Sequence, residues 1–491
     1  MVTRKKIDQA TLFAVAAIIA VGGLIYELIL GTAASYLIGD SVASFSLAIG
    51  TALFGMGLGS LAAIKLQRNS LRNFILNELL LSLLGGTSVI ILFGAYSLTP
   101  LFWLVFVLLS ISIGFLIGLE IPLVVSMAKS IQKKGDISFL SRVLSLDYIG
   151  ALIGSLIFPF VLLPSIGLTR SAFAVALFNI AVVYFVLWRT LTISRQSPFV
   201  FILASAVAIG LALGYHQARN IEEALNSKAF EDEVVYYEFS PYQRITITAY
   251  KDDVRLYLNN QLQFSTIDEA RYHETMVHSV MTSTPEVKTV LILGGGDGLI
   301  AREVLKYDEV ESITLIDLDP AVTDLAMQNR LIRDVNDGAL DDGRVSIINQ
   351  DAFTYVRQAE HRYDVIIADL VDPSNEKTAK LYSLEMYQAI KRILSADGSF
   401  ITQASSTFFT PNSFQVIANT AEEGFDEPVK GLFVNVPTFG EWGFVAKFAS
   451  PNLFSFRELP PSNEYITELS QLESSVVVPP DIVDIKNDDV T

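Results

Sequence analysis

Seven apolar stretches occupy the first 216 residues, near 11–37, 43–64, 73–95, 100–128, 145–166, 171–188 and 198–215. Each is close to or above the ~20 residues that an α-helix needs to cross a bilayer. The first follows a short basic segment, Met1 to Lys6. It is too long for the core of a signal peptide, and others like it follow, so it reads as a span. Small residues recur within the stretches, as at Gly50, Gly55, Gly57 and Gly59, and suit close helix packing. A mean hydropathy of +0.44 with 51% hydrophobic residues is too apolar for an ordinary soluble enzyme. Residues 1–216 are therefore expected to form an all-α, seven-helix transmembrane bundle.

Charge divides the chain at the same place. Residues 1–216 hold 13 Lys+Arg and 7 Asp+Glu, a net +6, so the chain total of −17 leaves −23 for residues 217–491. A half so acidic should repel nucleic acid and could attract cationic substrates, although an acidic surface also serves solubility alone. Arg4, Lys5, Lys6, Lys65, Arg68, Arg72, Lys129, Lys133, Lys134, Arg142, Arg189 and Arg195 fall on one side of the expected bundle, and only Arg170 on the other. The positive-inside rule puts that side, and the N-terminus, in the cytoplasm of a multi-pass cell (inner) membrane protein. Glu27, Glu78, Glu120 and Asp147 lie within or at the edges of the apolar stretches. Acids at membrane depth either pair between helices or mark a pathway or binding cavity.

From about residue 217 the composition turns polar. A helical linker, Asn220 to Phe230, precedes the alternating runs VVYYEF, RITITAY, VRLYLNN and QLQFS, whose period of two predicts a small antiparallel β domain near 232–266. Asn259-Asn260 suits a turn within it. The linker and β domain together span 217–282, with a helix from Ile267 to Thr282. An α/β domain is then expected over 283–450, and an acidic tail rich in proline and serine, poorly ordered, over 451–491.

The α/β domain opens at Val290 to Asp319, VLILGGGDGLIAREVLKYDEVESITLIDLD. An apolar run ends in glycines, a helix follows, and a second apolar run carries Asp317: the first βαβ unit of a nucleotide-binding sheet. Gly294 and Gly296 allow close backbone approach, and a carboxylate about 20 residues on can accept hydrogen bonds from ribose hydroxyls. Position 299 is Leu where GxGxxG needs a third glycine, which disfavours a pyrophosphate turn. Further runs, RVSIINQDAF, YDVIIADLVDP and GSFITQASS, alternate with helices, as in a buried parallel sheet. Ligands bind outside the carboxyl ends of such strands, where Asp297, Asp317, Asp351 and Asp369 stand. Two aspartates three apart in DLVDP, Asp369 and Asp372, cannot both be buried and ionised cheaply. One could cap a turn; otherwise they form a pocket for a cation in which one carboxylate also takes a proton. Tyr272, His273 and Glu274 could line the same pocket. The acids are better explained by organic cations than by a metal, and with no cysteine there is neither disulfide nor thiolate site.

YQRI at 242–245, YHE at 272–274, GGGDG at 294–298, the IDLD stretch around Asp317, QDAF at 350–353 and DLVDP at 369–373 stand in the order found in spermidine synthases. Residues 232–450 resemble that polyamine aminopropyltransferase family, and the apolar first half resembles its membrane-embedded members. The resemblance implies a Rossmann-like, S-adenosylmethionine-methyltransferase-like fold and transfer of the aminopropyl group of decarboxylated S-adenosylmethionine to putrescine. Spermidine and 5'-methylthioadenosine would be the products, with no further cofactor and in a homodimer or higher homo-oligomer. It also implies roles: Asp317 for the ribose hydroxyls, Asp351 and Ala352 for adenine, Gln243 on the nucleoside side, His273 and Asp297 for the amine, Asp369 as base, and Asp372 and Tyr272 for the diamine. Soluble members usually have a GPA-like turn after DLVDP and Tyr where this chain has Phe439; both differences lie where the acceptor amine belongs. A methyltransferase on the same fold would explain the glycines and Asp317 but not the paired acids or YHE, and a membrane transporter or sensor with a binding-only domain would not need a base. Seven crossings would leave the second half outside, whereas the donor is expected inside the cell.

Overall fold

The computed structural model describes residues 8–38, 41–128, 137–190, 197–373, 376–451 and 453–476, in two compact units divided between Tyr237 and Glu238. The basic residues Arg4, Lys5, Lys6, Lys129, Lys133, Lys134 and Arg195 lie outside the described residues.

The first unit is helical: α1 (Gln9–Ile38), α2 (Ser41–Leu66), α3 (Ser70–Leu98), α4 (Phe102–Ala128), α5 (Ile137–Ile157), the short α6 (Leu163–Ile166), α7 (Leu168–Thr190) and α8 (Ser197–Asn226). Among the described residues, six continuous helical stretches are long and apolar enough to cross a bilayer, because Ser41–Leu98 counts as one stretch of 58 residues. A tight 3₁₀ turn, Gln67–Asn69, interrupts it. α8 runs unbroken to Asn226, so the helical segment expected from Asn220 continues the last long apolar helix. The physical reason is that the polar segment QARNIEEAL has no proline or glycine to end the helix.

This unit has an apolar core, as a soluble bundle does, but its exterior is apolar too. Ser44, Asn77, Glu78, Ser82, Ser110, Glu120 and Asn179 are buried, while Leu53, Phe54, Leu61, Leu152, Phe160 and Ile202 are exposed. In water so wide an apolar exterior would be strongly unfavourable. α2 and α4 pack with backbones in contact: a Cβ on Gly59 would lie 2.0 Å from the Phe115 carbonyl oxygen, and one on Gly118 would lie 2.2 Å from that of Met56.

The unit boundary falls within β1 (Glu233–Phe239), which with β2 (Arg244–Tyr250), β3 (Asp253–Leu258) and β4 (Gln261–Ser265) makes a four-stranded sheet in sequence order. Asn259 and Asn260 both have positive φ, 50° and 66°, as the tight turn between β3 and β4 requires. Next come α9 (Glu269–Ser283), β5 (Thr289–Gly294), α10 (Leu299–Leu305), β6 (Ser312–Asp317), α11 (Pro320–Gln328), α12 (Arg330–Val335) and β7 (Val345–Asn349). The chain continues through α13 (Ala352–Gln358), β8 (Tyr363–Asp369), α14 (Glu376–Ala379), α15 (Leu384–Ile393), β9 (Leu394–Gln403), α16 (Pro411–Phe425), β10 (Lys430–Val436), β11 (Gly440–Lys447) and α17 (Leu469–Ser475).

The second sheet has the order β10-β11-β9-β8-β5-β6-β7. β9, β8, β5, β6 and β7 are parallel, and the β10–β11 hairpin adds antiparallel to β9. Val290, Leu291, Ile292 and Leu293 are all fully buried, which explains why this strand reads as an unbroken apolar run. Tyr387 of α15, Phe400 of β9 and Phe425 of α16 form one ring cluster against the sheet.

The tail departs from expectation. Residues 477–491 lie outside the described residues, but 453–476 are packed and end in α17. The buried Glu274 carboxylate accepts the backbone N–H groups of Glu464, Tyr465 and Ile466 at 2.7, 2.8 and 2.7 Å, and Arg457 donates to the Met281 carbonyl at 3.0 Å. A polar segment with little core of its own is ordered because α9 supplies its hydrogen-bond partners. Glu274→Ala is expected to destabilise the protein by about 2–4 kcal/mol and to expose residues 453–476 to protease. An unchanged unfolding midpoint and cleavage pattern would mean that other contacts hold the tail.

Candidate active site

Because β8, β5, β6 and β7 are parallel neighbours, their carboxyl ends make one rim, and Asp369, Asp297, Asp317 and Asp351 follow along it in that order. Gly294 pairs with Asp369 in register. At Gly294, with φ 82°, a Cβ would fall 1.9 Å from the Asp369 carbonyl oxygen; at Gly296 it would fall 2.5 Å from Asp317 Oδ2. The glycines thus let β5 approach both acids.

On one half of the rim, Asp317 Oδ2 accepts the Gly296 N–H at 3.1 Å and Oδ1 accepts the Asp319 N–H at 2.8 Å. Burial raises the Asp317 pKa to about 6 despite these bonds. Asp319, not singled out from the sequence, is a buried anchor. Its Oδ2 accepts from Ser240 Oγ at 2.6 Å and from Gln243 Nε2 at 3.0 Å, which brings Gln243 to this side. Asp351 caps α13 by accepting from Thr354 N at 2.9 Å, with Ala352 buried as the first helical residue. Lys380 Nζ stands 2.6 Å from Asp351 Oδ2. Burial opposes the Asp351 charge, but Lys380 and Thr354 outweigh it and hold the pKa below its ordinary value.

The other half centres on Asp369. Tyr272 Oη donates to Asp369 Oδ1 at 2.6 Å. Burial raises the Asp369 pKa to about 6; the His273 charge lowers it, the Asp297 charge raises it, and the Tyr272 bond lowers it. Asp297 is pushed up by burial as well, and its Oδ1 accepts the Leu299 N–H at 3.0 Å. His273 Nδ1 faces the Glu269 carbonyl at 2.9 Å and Glu269 Oε2 at 2.7 Å. Both partners are acceptors, so Nδ1 carries the proton. Burial opposes a charge on His273, but Glu269 prevails and raises its pKa. Glu269 is itself clamped by two Arg302 N–H groups at 2.8 and 3.0 Å.

Two expectations need correction. The charge that raises the Asp369 pKa comes from Asp297, while Asp372 is only half-buried and so is not the second buried carboxylate of a pair. Asp372 Oδ1 accepts from Ser405 Oγ at 2.7 Å and Gln403 Nε2 at 3.2 Å, which fix it from the end of β9. Glu274 does not line the site, because its carboxylate is taken up by the tail. Glu269 takes its place on α9, one helical turn before His273 and so on the same face. Gln403 was missed although it ends a strand on the same rim. The Tyr272 ring meets Phe439 at 6.4 Å and Phe444 at 5.0 Å, and Phe439 meets Trp442 at 5.7 Å, so the residue that departs from the soluble pattern stands in an aromatic wall beside Asp369.

A family described as the spermine/spermidine synthase domain matches residues 269–458, which hold the whole rim. A polyamine aminopropyltransferase of Leptospira interrogans serogroup Icterohaemorrhagiae serovar copenhageni (strain Fiocruz L1-130) is 39% identical over 479 residues, covering 96% of this chain and 94% of that protein. The chain belongs to the polyamine aminopropyltransferase family. A second polyamine aminopropyltransferase, of Oceanobacillus iheyensis (strain DSM 14371 / CIP 107618 / JCM 11309 / KCTC 3954 / HTE831), is 38% identical over 457 residues, 92% of this chain and 88% of that protein. A solved spermidine synthase from Thermotoga maritima is 29% identical, covers 51% of this chain and 86% of its own, and has a TM-score of 0.46. Likeness to the two aminopropyltransferases extends over the helical unit as well as the rim, so an aminopropyltransferase of this kind carries both parts in one chain.

Proposed function

We propose that the chain moves the aminopropyl group of decarboxylated S-adenosylmethionine to putrescine, giving spermidine and 5'-methylthioadenosine. The observation that carries this reading is the half-buried Asp369 at the end of β8, with its pKa raised to about 6, one oxygen held by Tyr272 and the other left for a substrate. An alkylammonium with a pKa of about 10.4 is no nucleophile at neutral pH. Asp369 accepts its proton, and the freed nitrogen lone pair attacks the propyl carbon on sulfur. The C–S bond breaks with its electrons going to sulfur, which leaves a neutral thioether. The sulfonium is already a good leaving group, so the remaining task is alignment. Asp317, Asp351, Ala352 and Gln243 hold the nucleoside; Asp297, Asp372, His273 and Tyr272 hold the diamine. The test is a product assay on the full chain in detergent with the decarboxylated donor and a panel of diamines. Release of methylthioadenosine with putrescine supports the reading, and release with no diamine ends it.

Two rim acids, Asp317 and Asp369, with pKa values near 6 also predict the pH profile. Both must be ionised in the free enzyme, so log kcat/KM for donor should fall below about pH 6 with a slope approaching 2. In kcat, with the ribose hydroxyls already on Asp317, the slope should be near 1. A profile flat to pH 5 would remove both assignments.

The reading includes embedding of the first unit in a membrane, supported by its exposed leucines and phenylalanines over buried Ser, Asn and Glu side chains. A stretch of 58 residues would be about 87 Å long as one helix, against a ~30 Å core. The turn Gln67–Asn69 therefore divides it into two crossings, flanked by Lys65, Arg68 and Arg72 on the basic, cytoplasmic side. Seven crossings result. One-sided reporters fused at Met1 and at Thr491 are expected to report opposite faces; the same face for both would delete a crossing.

A further inference from the structure

Three helices of the first unit turn polar groups toward one another. Glu78 of α3 and Glu120 of α4 are 0% and 3% exposed, and their carboxyl groups lie within hydrogen-bond range of each other. Tyr26 of α1, also fully buried, lies within electrostatic reach of both. Asn77 adjoins Glu78 and donates its amide N–H to the Leu116 carbonyl at 3.0 Å. Glu78 Oε1 and Oε2, Glu120 Oε1, Asn77 Oδ1 and Tyr26 Oη have no well-aligned hydrogen bond from the described residues, the Glu120 carboxyl and the Asn77 amide being the polar groups within reach of Glu78. Four of these five oxygens are acceptors, and Tyr26 brings the one donor. Two carboxyl groups in contact cannot satisfy each other unless a proton is shared, and even then acceptors remain over.

A nest with acceptors in excess and two acids at its centre is completed by a cation that brings N–H donors. A primary ammonium brings three. Among the described residues no group of three His, Cys, Asp or Glu side chains is placed to hold a metal ion. Asp147 of α5, half-buried, reaches Glu120 electrostatically and offers a third, more open carboxylate. We propose that Glu78, Glu120, Tyr26 and Asn77 form a second amine site, in the helical unit, for one ammonium end of a diamine or polyamine. The choice of a diamine as the cation rests on the function proposed above; the excess of acceptors does not.

Equilibrium dialysis of radiolabelled putrescine tests this on the full chain in neutral detergent, with methylthioadenosine saturating. The wild type is expected to bind two diamines per chain. The isosteric double variant Glu78→Gln/Glu120→Gln is expected to bind one, with its aminopropyl transfer within about twofold of wild type. Tyr26→Phe should keep both sites and weaken one about 3- to 10-fold. One diamine per chain in both wild type and double variant overturns the proposal, including the case in which wild type alone takes up a proton at the pair. Two per chain in the double variant also overturns it. If the double variant does not fold, Glu120→Gln alone is judged on the same stoichiometry. Loss of one diamine on mutation without turnover in any preparation would sink the transferase chemistry and leave the bundle site standing.

Discussion

Asp369→Asn is expected to lower kcat by about 10²- to 10⁴-fold, the usual contribution of a positioned general base, with donor affinity nearly unchanged. Asparagine keeps the shape and still offers an oxygen to the Tyr272 hydroxyl, which donates to Asp369 Oδ1 at 2.6 Å. The backbone stays in place as well, because Gly294 packs on the Asp369 carbonyl and pairs with it across β5 and β8. What is lost is the proton acceptor. Single-turnover release of methylthioadenosine, beside calorimetric binding of the nucleoside, separates the two effects. A kcat equal to wild type would take Asp369 out of the mechanism, while loss of nucleoside binding in parallel would make it a structural residue.

Much of this site was legible in the sequence because strand ends are legible. Apolar runs mark β5, β6, β7 and β8, and the rule that parallel sheets bind ligands beyond their carboxyl ends selects Asp297, Asp317, Asp351 and Asp369 from the sequence alone. The pattern of loops did not show how each acid is held. Glu269 was not singled out, although its i, i+4 spacing to His273 was available as a signal. Its clamp, Arg302, comes from α10, and no local spacing connects the two. Asp319 was overshadowed by Asp317 two residues earlier, although it fixes both Ser240 and Gln243. Glu274 was misassigned for a similar reason: residues 272–274 are contiguous in sequence but lie about 100° apart around the helix. Tyr272 and His273 therefore face the rim, while Glu274 faces the tail. That turn also explains why the tail looked disordered by composition, since the partner that orders it lies some 190 residues away. In the first unit, hydropathy located the helices, but the continuity of Ser41–Leu98 across Gln67–Asn69 depends on backbone angles that composition does not set.

Asp317→Ala is expected to strike the other substrate. Two charge-assisted hydrogen bonds to a ribose, at ~1.5–3 kcal/mol each, convert to a loss of about 10²- to 10⁴-fold in donor affinity. KM for the donor should rise by that factor, kcat at saturating donor should change little, and KM for the diamine should hold. The variant should nonetheless fold. The folded pKa of Asp317, about 6, is above its unfolded value of ~3.9. A raised carboxyl pKa means that its favourable contribution is complete below pH ~4 and is lost as pH rises through about 6. At pH 8 the ionised, half-buried Asp317 therefore costs roughly 3 kcal/mol relative to its protonated form, a balance that already includes the N–H groups of Gly296 and Asp319 that it accepts. Removing it takes away that cost but leaves the two N–H groups without their acceptor, a penalty of similar size, so the unfolding free energy at pH 8 should stay within about 2 kcal/mol of wild type. Thermal unfolding without ligand, beside donor titration, checks both halves. A variant that melts far below wild type would attribute the lost affinity to the fold, and one that binds donor normally would show that Asp317 only braces the turn at Gly296.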